Sequence, residues 1–279
     1  MRADCHMHIL LDGKDWKQAI CRHSVAPDEG YIREKLEIYC RLGYTYLRDG
    51  GDRWGVGAKA RELATEYGIR YRTPLSPLCY AGHYGSFIGV VYENLQEYAR
   101  LVQKAKADGA DFIKIMISGL MDFHRFGVLT EDGLPPEMIK ELIHIAHEEG
   151  MAVMAHANGE TALAAAEAGV DSVEHGAYLT YDALCAMRAN GTIWVPTLST
   201  VGNLQGKGRF PDRETAQILE SALDNVAMFH AMGGLLAAGT DAGAWAVPHG
   251  STTEEGYFAA AGVGEDALTR GADAIMAKF

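Results

Sequence analysis

The chain has 279 residues, of which 48% are hydrophobic and 22% charged, enough for one large domain with a substantial core. Its formal net charge is −12, which argues against nucleic acids and anionic membranes as partners, because both require clustered Lys and Arg. No apolar run approaches the roughly 20 residues that a membrane-spanning helix needs. We therefore expect a globular protein whose partner is a small-molecule substrate.

The cysteines are scattered, odd in number and without a CxxC pair. This pattern predicts reduced thiols in the cytoplasm rather than a disulfide framework or a structural zinc knuckle. No charged and apolar leader precedes the first motif, so we expect no signal peptide. The five cysteines are Cys5, Cys21, Cys40, Cys79 and Cys185.

One unit recurs along the chain: an amphipathic helix, a glycine, then a short apolar strand. Glycine suits the left-handed position that follows a helix. The segments predicted as strands are, in order, ADCHMH, YTYLRD, IRYRTPL, ADFIKIMI, MAVMAH, VDSVEH, TIWVPTL and LLAAGTD.

The spacing of these eight strands suits parallel strands joined by helical crossovers. Eight such units predict an α/β fold, a closed (β/α)8 TIM barrel, with a doubly wound open sheet as the next choice. No linker or low-complexity stretch divides the chain, so we expect a single domain over residues 1–279.

Two helices are predicted with particular clarity. Pro135 and Pro136 open EMIKELIHIAHEEG, where proline is tolerated and the apolar residues recur at helical spacing. The segment from Arg213 to Met232 carries a comparable apolar stripe.

Several predicted loops after the strands are long, and in a barrel such loops build the mouth of the active site. For any single loop, a plain surface insertion is an equally good interpretation. The long loops are Ile9 to Gly30, the segment SPLCYAGHYGSFIG, Ser118 to Leu134, and Ser199 to Asp212.

Six polar residues stand in or at the end of five of these apolar runs. A lone histidine at a strand end is more often a satisfied core residue than a metal ligand, but a buried lysine amine is costly without a partner. Nitrogen and carboxylate groups at the ends of several strands together indicate a catalytic metal site. The residues concerned are His6, His8, Lys114, His156, His175 and Asp241.

The spacing of the first two histidines carries geometric information. Because side chains alternate along a strand, His6 and His8 point the same way and both can reach one ion.

These residues, in this order, resemble the amidohydrolase superfamily of metal-dependent hydrolases. The local motifs DCHMH, DFIKI, AHANG, VEHG and GTDAG, with PHG downstream, are similar to the branch that contains imidazolonepropionase and the Xaa-Pro dipeptidases (prolidases). That branch usually carries an accessory β-sandwich, which we expect to be absent here. We expect the loss of this cover to make the protein a homo-oligomer.

The resemblance implies a binuclear centre of two divalent ions. Asp241 would join His6 and His8 at one ion, and His156 and His175 would hold the second. Lys114 would bridge them after its amine is carboxylated by CO2, since an ammonium has no lone pair to donate. Zinc is the default metal for such donors, while manganese, cobalt or iron would also be accommodated.

The chemistry implied is hydrolysis of an amide-like bond in a dipeptide, an N-acyl amino acid or a cyclic amide. A hydroxide shared by the ions would attack the carbonyl, and Asp241 would carry its proton to the leaving group. The alternatives are a lactonase, esterase or phosphoesterase, a deaminase, and a catalytically silent binding barrel.

Other polar residues in the loops are candidates for substrate binding. Arg125 could clamp a carboxylate, with His124 beside it, and Tyr84 or His83 could donate to the developing oxyanion. Each is about as well explained as a solvated loop residue.

Two further positions have competing interpretations. Arg48 and Asp49 would form a supporting pair near the metal site or an ordinary ion pair. Glu160 could mimic the acid of a deaminase, but its spacing predicts a helix residue.

Overall fold

The computed structural model describes residues 2–279, and all strand pairs in its two sheets are parallel. One sheet has the order β1-β2-β3, and the other has the order β10-β9-β8-β7-β6-β4-β5. The strands are β1 (Arg2–Met7), β2 (Tyr44–Asp49), β3 (Arg70–Arg72), β4 (Leu78–Tyr80), β5 (Val90–Tyr92), β6 (Ile113–Met116), β7 (Val153–Ala157), β8 (Ser172–His175), β9 (Ile193–Val195) and β10 (Leu235–Leu236).

Helices connect most of the strands, as is usual for parallel neighbours, whereas β3, β4 and β5 follow one another through loops. A short 3₁₀ helix, Thr65–Tyr67, extends the third α-helix. The α-helices are α1 (Trp16–Arg22), α2 (Glu29–Arg41), α3 (Val56–Ala64), α4 (Leu95–Ala107), α5 (Pro136–Glu148), α6 (Glu160–Glu167), α7 (Tyr181–Asn190), α8 (Ser199–Gly202), α9 (Asp212–Ala231), α10 (Thr253–Ala260) and α11 (Glu265–Lys278).

The helix predictions are confirmed with small shifts at the ends. Proline opens α5, and the buried face of this helix contains Ile139, Leu142 and Ala146. Helix ends also behave as predicted: Gly191 closes α7 with a φ of 68°, in the left-handed region where a Cβ is unfavourable.

Three segments predicted as loops contain regular structure. SPLCYAGHYGSFIG includes β4, which pairs with β5 just beyond it, the segment Ile9 to Gly30 includes α1, and the segment Ser199 to Asp212 begins with α8. These elements are so short that their apolar residues do not establish a period in the sequence.

The last predicted strand is shorter than LLAAGTD suggested, because only Leu235–Leu236 is regular. Beyond it the backbone continues along β1: Cys5 N–H donates to Ala238 O (2.9 Å), and Asp241 N–H donates to His6 O (2.7 Å). Gly239 allows this approach, because a Cβ there would lie 2.8 Å from the His6 backbone nitrogen. The residues at the end of this segment are therefore placed beside those of β1.

A similar contact joins the sheets at β3 and β6, where Asp111 N–H donates to Thr73 O (3.0 Å). A small core cluster also takes residues from both sheets, with Cys5 and Tyr46 on one side and Met154 and Val195 on the other. Residues of both sheets thus pack together in one part of the core. All five cysteines are free thiols.

Among residues 2–279, every helix is too short or too polar to traverse a lipid bilayer.

Candidate metal centre

The first two histidines meet at the carboxyl end of β1. The Nε2 atoms of His6 and His8 lie 3.4 Å apart, and both rings are buried. The alternation of side chains along the strand places both on one side, as the sequence predicts.

Asp241 reaches the same point from the segment after β10. Its Oδ1 atom lies 3.6 Å from His6 Nε2 and 3.5 Å from His8 Nε2. His6, His175 and Asp241 each offer one donor atom, and these atoms all lie within 4.8 Å of one another. The spacing is suitable for side chains that face one metal centre.

Backbone conformation contributes to this convergence. Asp241 has a φ of 55° and His175 a φ of 68°, values that side-chain-bearing residues rarely adopt. Such residues cluster at functional sites, where the surrounding structure holds them in place.

His156 and His175 form the other half of the cluster. Their ring centroids are 4.4 Å apart, and His175 Nδ1 is 2.8 Å from Thr197 Oγ1. Asn158 closes the turn after β7, because its side chain donates to Gly119 O (2.9 Å) and accepts from Ala177 N–H (2.8 Å). This explains the asparagine in AHANG.

Lys114 lies among these side chains on β6 and is 1% exposed. Its Nζ atom has no hydrogen-bond partner within residues 2–279. Burial lowers the pKa of this amine to about 8, against the opposing charges of Glu174 and Asp241. A buried, unpartnered amine is costly, so Lys114 is the feature of the cluster that most requires an explanation.

The imidazoles are neutral at physiological pH. Burial, reinforced by the charge of Lys114, lowers the pKa of His8 and of His156 to about 3. It also holds the pKa values of His6 and His175 well below the ordinary value. Their lone pairs are therefore available to a metal.

Burial raises the pKa of Asp241 to about 7, although the charge of Lys114 opposes this shift. The carboxyl is thus poised to exchange a proton near neutral pH, as a general acid or base must.

Glu174 is a functional residue that the sequence analysis missed. Its Oε2 atom is 2.7 Å from His6 Nδ1, and its Oε1 atom accepts from Arg48 Nη2 (2.8 Å) and Ser172 Oγ (2.6 Å). The carboxylate fixes the His6 tautomer so that Nε2 faces the cluster. The sequence signal for this role was a charged residue, Glu174, directly before His175 in the predicted strand VDSVEH.

The proposed pairing of Arg48 with Asp49 is wrong. Neighbouring residues on a strand point to opposite faces, so Arg48 turns inward to Glu174. Asp49 instead accepts from Ile9 N–H (3.2 Å) and Thr73 Oγ1 (3.3 Å). Glu160 begins α6 and is exposed, as the helix interpretation predicts.

A cavity of about 450 Å³ opens above the cluster. His8, Lys114, His156, His175 and Asp241 line its floor, and its walls are largely apolar and aromatic. This volume lies within the roughly 300–1,000 Å³ that is usual for small-molecule sites.

Of the four residues predicted to bind substrate, only Tyr84 lines this cavity. Arg125 is 69% exposed and pairs with Asp122 (2.6 Å), three residues earlier in the loop. His124 stacks against Phe210 (5.5 Å), and His83 packs on Tyr80 (5.5 Å). The loops therefore present other side chains to the cavity, including Lys14, Trp16, Arg209, Phe210 and Trp245.

The sequence matches the model of the amidohydrolase family over residues 60–278. An uncharacterised protein of Mycobacterium tuberculosis is 35% identical over 126 residues, which cover 43% of this chain and 34% of that protein. Ochratoxinase of Aspergillus niger is 28% identical over 240 residues, which cover 71% of this chain and 47% of the enzyme. The chain thus spans less than half the length of these curated relatives.

Solved structures share the fold. A Xaa-Pro dipeptidase with methionine bound in its active site superposes with a TM-score of 0.78 at 23% identity, over 99% of this chain and 75% of that one. The A. niger ochratoxinase structure gives a TM-score of 0.74 at 22% identity, over 99% of this chain and 69% of that one.

Proposed function

The chain belongs to the amidohydrolase family, and we propose that it is a metal-dependent hydrolase of carbon–nitrogen bonds. The observation that carries this proposal is the convergence of neutral imidazoles, Asp241 and the unpartnered Lys114 amine at the floor of one cavity. Its substrate would be a dipeptide, an N-acyl amino acid or a cyclic amide.

The scaffold for this site would be a closed (β/α)8 barrel that forms one domain. Support comes from the parallel strands, from the hydrogen bonds that join β1 to the segment after β10, and from the core cluster shared by both sheets. In such barrels the loops at the carboxyl ends of the strands form the active site.

The donor set fits a pair of divalent ions, with zinc the default for imidazole and carboxylate ligands. His6, His8 and Asp241 would hold one ion, and His156 and His175 the other. When bound, the ions would activate a water molecule and polarise the substrate carbonyl.

Lys114 fits a bridging role once its amine has been carboxylated. The lowered pKa leaves a sizeable fraction of neutral amine near pH 8, and only that form attacks CO2. The new N–C bond forms as the amine releases a proton, which leaves an anionic carbamate whose oxygens can bind metal. This change would give the buried Nζ a chemical role.

Asp241 would move the proton of the reaction. Its carboxylate, beside His6 and His8 at the floor of the cavity, would accept a proton from the attacking water and deliver it to the leaving nitrogen. Tyr84, which lines the same cavity with its ring centroid 4.9 Å from that of His156, would donate to the oxygen that gains charge.

The test is hydrolysis of a panel of dipeptides and N-acyl amino acids by the metal-loaded protein. We expect Asp241→Asn to lower kcat by about 100-fold or more, the usual contribution of a general base. Asp132→Asn changes an exposed loop carboxylate and should keep full activity. Full activity of Asp241→Asn would contradict this mechanism. Hydrolysis of lactones but of no amide in the panel would contradict the bond specificity.

A further inference from the structure

Aromatic side chains form much of the cavity wall above the metal-ligand cluster. They come from separate loops, so together they make a broad apolar surface rather than a narrow slot. The residues are Trp16, Tyr84, Phe87, Phe123, Phe210 and Trp245. A cavity of about 450 Å³ with such walls suits a substrate that carries bulky rings, more than a dipeptide of small residues.

Arg209 brings a positive charge to this apolar wall. Its guanidinium lies 4.6 Å from the ring centroid of Trp245 and 5.3 Å from that of Phe210. Stacking on two rings holds the planar fork without consuming its hydrogen-bond donors. No carboxylate pairs with Arg209 in the part of the chain that the structure describes.

Arg209 is one of several arginines that lack a carboxylate partner among residues 2–279, but among them it is the one that lines the cavity. Arginine binds carboxylates through two parallel hydrogen bonds, which gives both affinity and orientation. Lys14 also lines the cavity and is exposed, but no aromatic ring holds its ammonium in place. Arg209 is therefore the better-ordered anion-binding group of the two.

We propose that Arg209 is a specificity-determining residue that binds the free carboxylate of an N-acyl amino acid whose acyl or side-chain group is aromatic. This inference rests on the proposed function, since it places the substrate over the same metal-ligand cluster. The carboxylate lies at the mouth against Arg209, the rings pack on the aromatic wall, and the amide lies over Asp241.

The test uses a probe that cannot be hydrolysed: the ketone isostere of N-benzoylphenylalanine, in which CH2 replaces the amide NH. Its carboxamide derivative has the same shape without the negative charge. Affinities of both for the metal-loaded protein are measured by calorimetry. We expect the wild type to bind the carboxylate about tenfold or more tightly than the carboxamide.

Arg209→Gln should bring the two affinities to within about twofold of each other. Lys207→Gln is the matched control, because it removes the same charge from the same exposed loop at a residue that does not line the cavity. It should keep the wild-type preference.

Three results would overturn the assignment: no preference in the wild type, a preference retained by Arg209→Gln, or no binding of either probe. If the preference were lost in Lys14→Gln but not in Arg209→Gln, Lys14 would be the residue that binds the carboxylate. That result would also overturn the assignment to Arg209.

Hydrolysis of N-benzoylphenylalanine is measured separately, so the two proposals can fail independently. Carboxylate preference without hydrolysis of this compound or of any amide in the panel would retain the role of Arg209 and reject the proposed reaction. Hydrolysis without carboxylate preference would support the proposed reaction and reject the role of Arg209.

Discussion

Glu174 connects the cluster of proposed metal ligands to the interior of the protein. It is fully buried between His6 and Arg48, and the Arg48 guanidinium also stacks on the C-terminal Phe279 ring (4.5 Å). Removal of one partner from such a buried pair leaves the other charge without compensation. The same carboxylate sets the tautomer of a proposed metal ligand, so it affects both stability and metal affinity.

We expect Glu174→Gln to lower the free energy of unfolding by about 3–5 kcal/mol and metal affinity by about 10- to 100-fold. Urea denaturation and a competition titration with a zinc chelator measure the two effects. The double variant Arg48→Met/Glu174→Gln should recover part of the stability, because neither charge of this pair remains without its partner, but not the metal affinity. If Glu174→Gln were as stable as the wild type, the expected cost of leaving the buried Arg48 charge unpaired would be contradicted.

Gly50, in the turn after β2, controls the space that His8 occupies. A Cβ at this position would overlap the His8 imidazole, so alanine must displace a proposed ligand. We expect Gly50→Ala to lose most metal binding, measured as metal content per chain, while circular dichroism shows the fold retained. In Gly256→Ala the new Cβ meets nothing within 4 Å, so this control should bind metal normally. Equal metal content in the two variants would argue against His8 as a ligand.

At the scale of elements, the Asp171 carboxylate links the ends of two strands and two helices. Asp171 precedes β8 and accepts hydrogen bonds from His147 of α5 (2.8 Å), Val153 N–H of β7 (2.8 Å) and Lys278 of α11 (2.5 Å). Burial alone would raise the pKa of this carboxyl, but the bonds from His147, Lys278 and Val153 outweigh it and lower the pKa.

Since the folded-state pKa of Asp171 is lowered, its contribution to stability is complete above the unfolded-state value of about 3.9 and is lost as pH falls below it. We expect Asp171→Asn to cost about 1–3 kcal/mol at pH 7, and the difference from wild type to shrink below about pH 4. Denaturant unfolding at both pH values measures this. Asp108→Asn, which loses only a surface pair with Lys104, should change stability by less than about 1 kcal/mol. A penalty for Asp171→Asn that persists unchanged at low pH would contradict the assignment.

The repeated helix–glycine–strand unit could be predicted from the sequence, because each strand is a short apolar run bounded by turn residues and each helix has a clear period. β4 and β5 could not be predicted from the sequence, because the apolar residues of a three-residue strand have no measurable period. These two strands are recognisable only by their pairing in the folded chain. The end of the last predicted strand also depends on a tertiary contact, the approach of Gly239 to His6.

At the scale of the whole molecule, the positions of the proposed ligands were predictable because each polar residue stands out within an apolar strand. The residues of the cavity wall were not predictable from the sequence. Loop residues such as Arg209 and Trp245 resemble other solvated residues in the sequence, and only the folded positions of the loops bring them to the cavity. The pairing of His6 with Glu174 spans 168 positions and has no local signature. The sequence analysis predicted Arg125 as a carboxylate clamp, but the structure brings Arg209, rather than Arg125, to the cavity.

Metal binding should stabilise the entire fold, because the ligands come from strands distributed along the whole chain and converge only when it is folded. We expect a chelator to lower the Tm and added zinc to restore it, by mass action on the folded state. Below about pH 7 the Asp241 carboxyl becomes protonated, so zinc should raise the Tm less at pH 6 than at pH 8. Thermal scans at the two pH values check this, and a Tm that zinc and chelator leave unchanged would be evidence against a structural coupling of metal and fold.

The most direct test of the central claim is metal content per chain, measured by plasma mass spectrometry on protein purified without chelators. Wild-type protein should carry about two divalent ions, and Lys114→Ala should carry fewer because the bridging ligand is gone. Folded wild-type protein that binds no metal even after reconstitution would contradict the account of a metal-dependent hydrolase.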